Sequence, residues 1–94
     1  MNLCNEVVND IAGIAEAHDV EKVILFGSRA RGDNTERSDV DVAIVGGDFD
    51  NFYWDMDENI NSLLMFDVVK LDSKISQALK QEIERDGVVI YEET

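Results

Sequence analysis

Apolar residues along this chain follow two rhythms, and the switches between them mark out the elements. From Leu3 to His18, the residues Leu3, Val7, Val8, Ile11, Ile14 and Ala15 recur at three- and four-residue steps, the repeat of a helix with one buried face. Lys22-Val23-Ile24-Leu25-Phe26 is a β-branched and aromatic run closed by Gly27, which reads as a buried strand. Between Asp39 and Val45 the period becomes two, with Val40, Val42 and Ile44 on one face and Asp39 and Asp41 on the other. Gly46-Gly47 interrupts the chain. Helical spacing then returns through Phe49, Phe52, Tyr53, Met56, Ile60, Leu63 and Leu64, with Asp48 or Asp50 available as N-cap. Phe66 to Leu71 predicts a third strand. From Ser73 a further helix buries Ile75, Leu79 and Ile83, with Gly87 as a left-handed stop, and Val88 to Tyr91 forms a last short strand. This order of elements predicts a two-layer α/β (α+β) domain over residues 1–94, with helices covering a small sheet.

Composition narrows the class of protein. A chain of 94 residues that is 45% hydrophobic supplies one modest core, and Cys4, its only cysteine, has no partner within the chain for a disulfide. The first fifteen residues carry Glu6 and Asp10 with no basic start, so they do not read as a signal peptide, and cytoplasmic residence is the expectation. No apolar run approaches the roughly 20 residues needed to span a bilayer. With 21 acidic against 8 basic residues the net charge is −13, which repels phosphate backbones. Direct nucleic-acid binding is therefore not expected. The acidity serves solubility or a basic protein partner.

The chemistry is concentrated in Gly27-Ser28-Arg29-Ala30-Arg31-Gly32 and, after a polar loop, Ser38-Asp39-Val40-Asp41. A strand that ends in Gly-Ser and turns into a short helix offers backbone N–H groups and a hydroxyl with no bulky Cβ in the way, which suits a phosphate. Gly27 and Gly32 have the spacing of a P-loop, but Asp33 and Asn34 stand where its Lys and Ser/Thr belong, so that motif is excluded. Asp39 and Asp41, one residue apart on a strand, leave the same face about 7 Å apart at the backbone. Mg²⁺ relieves the repulsion between two such carboxylates and accepts one or two of them together with substrate phosphates. Asp67 sits among Phe66, Val68 and Val69, where a charge is hard to explain as solvation, and is the candidate third carboxylate. Arg29 is a candidate phosphate contact, while Arg31 is as readily a partner for Asp33. The acid-rich stretch from Asp55 fails as a calcium loop because Ile60 and Phe66 occupy its glycine and glutamate positions.

The run GSRARG, the loop and SDVDV together resemble the signature of the DNA polymerase beta-like nucleotidyltransferases, in particular the minimal nucleotidyltransferase (MNT) branch. The resemblance covers Gly27 to Asp67. It implies a small mixed sheet of the nucleotidyltransferase fold, with Gly27 and Ser28 toward the triphosphate, Asp39 and Asp41 as catalytic metal ligands, and Asp67 in metal binding or base catalysis. It further implies Mg²⁺, two ions in all, with ATP as donor of an AMP group to a hydroxyl. The MNT branch is paired with HEPN-domain toxins, so the implied role is an antitoxin that modifies a tyrosine of such a partner. Two other readings fit the same sequence. One is an acidic binding module that masks its partner without catalysis, and the other is a nucleotidyltransferase for a small molecule.

Overall fold

The computed structural model describes residues 1–35, 37–60 and 64–93. In chain order the elements are α1 (Asn5–Ala17), β1 (Lys22–Phe26), α2 (Gly27–Arg31), β2 (Val40–Val45), α3 (Phe49–Asn59), β3 (Phe66–Lys70), α4 (Gln77–Asp86) and β4 (Val88–Glu92). The four strands form one mixed sheet in the order β3-β2-β1-β4. β1 is antiparallel to β2 and to β4, whereas β2 and β3 run parallel. A parallel pair needs a crossover, and α3 supplies it by crossing back over one face of the sheet.

Alternation along the strands sorts the core into two unequal parts. Val23 and Leu25 of β1 and Val40, Val42 and Ile44 of β2 pack with Val7, Ile11 and Ala15 of α1 and Phe52 and Met56 of α3. Their side-chain neighbours in sequence point the other way: Phe26 and Ala43 join Ile83 of α4, flanked by Ile24 and Val69. Helices thus cover both faces of the small mixed sheet, α1 and α3 on one and α4 on the other. The α1–α3 layer is further tied by His18, the residue that ends α1, whose Nε2 lies 2.9 Å from Asp55 Oδ2. Burial of Phe52 with no exposed surface gives this layer one of its largest contributions, since deleting such a side chain costs about 3–5 kcal/mol.

Local chemistry sets several boundaries differently from the periodicity. Asp39 precedes β2 rather than opening it. α3 begins at its expected cap, Asp48, whose side chain accepts from the Asn51 N–H, but it ends at Asn59. Leu64 is half-buried outside the helix, and the expected helical position of Leu63 lies outside the described residues. α4 starts at Gln77 because Ser76 caps it, accepting from Leu79 N–H at 3.1 Å, so Ile75 packs from the preceding loop. Gly87 is not left-handed: its φ of −64° and ψ of 138° are extended. A glycine stands there for space, because a Cβ would overlap the Ile83 carbonyl oxygen and come within 2.7 Å of Ile24 Cγ2. Among the described residues no helix is long and apolar enough to cross a membrane.

Candidate active site

Three consecutive features of the sequence converge at one end of the sheet, where β1 hands over to α2 and β2 begins. Phe26, still extended, is the last residue of β1 and pairs with Asp41. Gly27 then turns with φ +74° into the five-residue α2, and Gly32 ends it in the left-handed conformation with φ +87°. The N–H groups of Gly32 and Asp33 both donate to the Ser28 carbonyl, at 2.8 and 3.1 Å. The loop that follows is folded on itself by Ser38, whose Oγ accepts from Thr35 N–H at 2.9 Å. Asp39 comes next, exposed, and the Val40 N–H is fixed to the Met65 carbonyl at 2.8 Å.

The central carboxylate is Asp41. Its neighbours Val40 and Val42 are fully buried on the α1–α3 side, so strand alternation turns Asp41 to the opposite face. Across the parallel pair its register partner is Asp67. Two aspartates opposite each other on adjacent strands repel, and Asp39 adds a third negative charge. Burial, then Asp67, then Asp39, push the Asp41 carboxyl up to about 6, with a further contribution from Glu82 of α4 and a partial offset from Arg31. Asp67 and Asp39 therefore both bear on the charge of Asp41.

They do not form a closed cage: among the described residues no three histidine, cysteine, aspartate or glutamate side chains already surround one point as ligands. The donor set is nonetheless all hard carboxylate oxygen, and burial together with the charges of Asp67 and Asp39 disfavours a bare anion at Asp41, which a divalent cation would relieve. Both features fit Mg²⁺.

Gly27 is tied to this cluster by contact. A Cβ built on Gly27 would overlap Asp41 Oδ2 and lie 3.2 Å from its Cγ. The glycine is thus required by the aspartate as well as by the turn, which spacing alone did not reveal. Ser28 is half-buried at the start of α2.

The two arginines of the motif part company. Arg31 reaches Asp33 Oδ2 at 3.1 Å, as its alternative reading held, and also Asp86 Oδ2 at 3.3 Å and Glu82 Oε1 at 3.7 Å on α4. It is the guanidinium whose charge acts on Asp41. Arg29 is buried at 8% exposure, and its Nε and Nη2 donate to the Ser38 carbonyl at 3.2 and 3.1 Å. Its Nη1 donates to the Asn2 carbonyl at 3.3 Å. The structure therefore puts Arg29 behind the loop rather than beside Asp41. Glu82 was not anticipated from the sequence, because its approach depends on α4 crossing the second face of the sheet.

A small mixed sheet with a Gly-Ser turn opposite paired aspartates is the arrangement of a nucleotidyltransferase, and comparison with known proteins agrees. The family model described as polymerase beta, nucleotidyltransferase, matches residues 9–94. The chain belongs to this family and is a nucleotidyltransferase. A relative in Methanocaldococcus jannaschii, named "putative protein adenylyltransferase", is 38% identical over 82 residues, covering 77% of this chain and 79% of the relative. Among solved structures, a toxin-antitoxin MntA-HpeT variant is 28% identical with a TM-score of 0.70, covering 98% of this chain and 76% of its own. A toxin-antitoxin structure with AMP-PNP is 24% identical, with a TM-score of 0.72 over 93% of this chain and 74% of its own, and shares the fold.

Proposed function

We propose that the chain transfers AMP from ATP to a hydroxyl on a protein, with a tyrosine of a HEPN-domain toxin as acceptor, and so acts as an antitoxin. The observation that carries this reading is the register pairing of Asp41 with Asp67 beside Asp39, opposite the Gly27-Ser28 turn. Support for the donor and the setting comes from relatives: one is named for protein adenylylation, and others were solved as toxin-antitoxin proteins, one of them with an ATP analogue.

In this reading Asp39, Asp41 and Asp67 hold Mg²⁺, two ions in all, and Gly27 and Ser28 receive the triphosphate through backbone N–H groups and the Ser28 hydroxyl. A metal held by these carboxylates would supply charge neutralisation for an in-line displacement at the α-phosphate. The chain's own residues position and discriminate. Asp67, exposed on an edge strand, is open to the acceptor and would take the proton of the attacking hydroxyl. Arg31, held by Asp33, Glu82 and Asp86, offsets negative charge beside Asp41. Its bond to the exposed Asp33 carboxylate leaves part of its fork able to turn to phosphate oxygens.

The test separates chemistry from masking. Asp39→Asn combined with Asp41→Asn keeps side-chain shape and removes two charges from a small area. Partner docking draws on a surface of about 800 Å² on each side, much wider than these two groups. We expect the double variant to co-purify with a co-expressed HEPN partner and to leave it without the mass increment of AMP. If the variant still neutralises the partner's toxicity as the wild type does, the antitoxin activity is masking and the catalytic reading of the role is wrong.

A further inference from the structure

We propose that Arg29 is a positioning residue for Asp39, a clamp that fixes the backbone of the loop from which this carboxylate reaches the metal, and not a ligand of the nucleotide.

Asp39 is exposed and lies outside β2, so no ladder hydrogen bond of that strand holds it. Its direction depends on how the chain is anchored on either side. On the C-terminal side the anchor is Val40, with no exposed surface and with its N–H on the Met65 carbonyl. On the N-terminal side it is the Ser38 carbonyl, the oxygen of the peptide that joins Ser38 to Asp39. That oxygen accepts from two nitrogens of Arg29 at once, Nε at 3.2 Å and Nη2 at 3.1 Å. A planar fork gripping one carbonyl fixes the plane of the peptide as well as its distance.

The grip is itself braced. Arg29 is the sole charged or polar residue counted as buried among the described residues, and an arginine is placed in a protein interior only when hydrogen bonds repay its desolvation. Its Nη1 donates to the Asn2 carbonyl, and its own backbone carbonyl accepts from the Asn2 N–H at 2.8 Å. The N-terminal segment thus closes over the guanidinium from behind. Arg31, two residues on, faces Asp41 and the acidic residues of α4. The Arg-Ala-Arg of the motif therefore divides two tasks between the two sides of α2: one arginine faces the site and the other holds the loop. A lysine at 29 would keep the charge but has no second fixed nitrogen with which to orient the peptide.

This inference rests on the reading of Asp39 as a metal ligand, and the test keeps the two apart. Binding of a fluorescent ATP analogue is measured in EDTA and in Mg²⁺ for the wild type, Arg29→Lys, Arg29→Gln, Asp39→Asn, and the Arg29→Lys, Asp39→Asn double variant. Amide hydrogen exchange across residues 33–40 is followed in the same proteins without ligand. A positioning role predicts that Arg29→Lys leaves affinity in EDTA unchanged and lowers the Mg²⁺-dependent gain about ten- to hundredfold, the usual loss when a support behind a metal ligand is removed. It predicts faster exchange in the loop, and a double variant no weaker than Asp39→Asn alone, because both changes act on one carboxylate. Equal losses in EDTA and Mg²⁺, adding to those of Asp39→Asn, would make Arg29 a phosphate ligand and overturn the proposal. Loop exchange unchanged in Arg29→Lys would overturn the clamp. Should Arg29→Gln fail to fold, Arg29→Lys carries the test. A wild type with no Mg²⁺-dependent gain overturns the metal reading of Asp39, and the metal role of Arg29 falls with it, whatever the loop exchange shows.

Discussion

Gly27 and Asp41 occupy space that only a glycine leaves free: a Cβ on Gly27 would overlap the Oδ2 of Asp41, with the Gly27 φ at +74°. The turn that opens α2 and the central carboxylate are therefore one packing unit. Gly27→Ala carries about 1–2 kcal/mol for a left-handed residue with a Cβ and about 1–3 kcal/mol for the overlap. We expect a lower urea midpoint together with weakened binding of Mg²⁺ and ATP. Ser28→Ala, which leaves Asp41 in place, should cost nucleotide affinity alone, about 0.5–1.5 kcal/mol for one hydroxyl contact. Wild-type stability in Gly27→Ala would show that Asp41 does not depend on this contact.

Asp41 makes the ligand-free protein sensitive to pH in a direction opposite to most carboxylates. Its folded carboxyl is pushed up to about 6, above the ordinary value, so folding takes up a proton there. The associated stability is present below the unfolded value and is lost as pH rises through about 6. Asp48 and Asp86 act in the other direction, their carboxyls being held low by Asn51 and by Arg85 respectively, and they lose their contribution as pH falls. Asp41→Asn should therefore raise the unfolding temperature at pH 7 in the absence of metal and flatten the profile between pH 4 and about 6. A lower unfolding temperature at pH 7 would mean that the charge on Asp41 is stabilised by its surroundings, contrary to the crowding described.

Mg²⁺ and nucleotide should reverse that penalty together. A ligand that binds only the folded state adds about 2.7 kcal/mol when present at a hundredfold excess over its Kd. Thermal unfolding of the wild type should shift upward with Mg²⁺ and ATP in combination, more than with either alone, and the shift should shrink in Asp67→Asn. A folded protein with no shift at millimolar ligand would contradict the assignment of the site.

The sequence was most legible where one period or one spacing carried the information. The four-residue repeat through Val7, Ile11 and Ala15 marked the buried face of α1, and the two-residue repeat through Val40, Val42 and Ile44 marked that of β2. The same repeat placed Asp41 on the opposite face, and the isolated charge at Asp67 proved to be its register partner. Contacts between distant elements were less legible. Nothing local to Glu82 announces that α4 will carry it toward Asp41. Arg29 and Arg31 lie two residues apart with the same side chain, and only the fold of the loop sends one to the Ser38 carbonyl and the other to α4. Gly87 shows the same limit. Its place after a helix suggested a left-handed stop, whereas the extended backbone and the neighbouring Ile24 and Ile83 show that bulk, not φ, excludes a side chain.

Transfer itself is tested most directly by the fate of the α-phosphate. The protein, a co-expressed HEPN partner and Mg²⁺ would be incubated with ATP radiolabelled at either the α- or the γ-phosphate, and label bound to protein would be counted. Nucleotidyl transfer places the α-label on the partner, leaves the γ-label in released pyrophosphate, and loses the α-label in Asp41→Asn. Label from the γ-phosphate on the partner, or α-label undiminished in Asp41→Asn, would contradict the account.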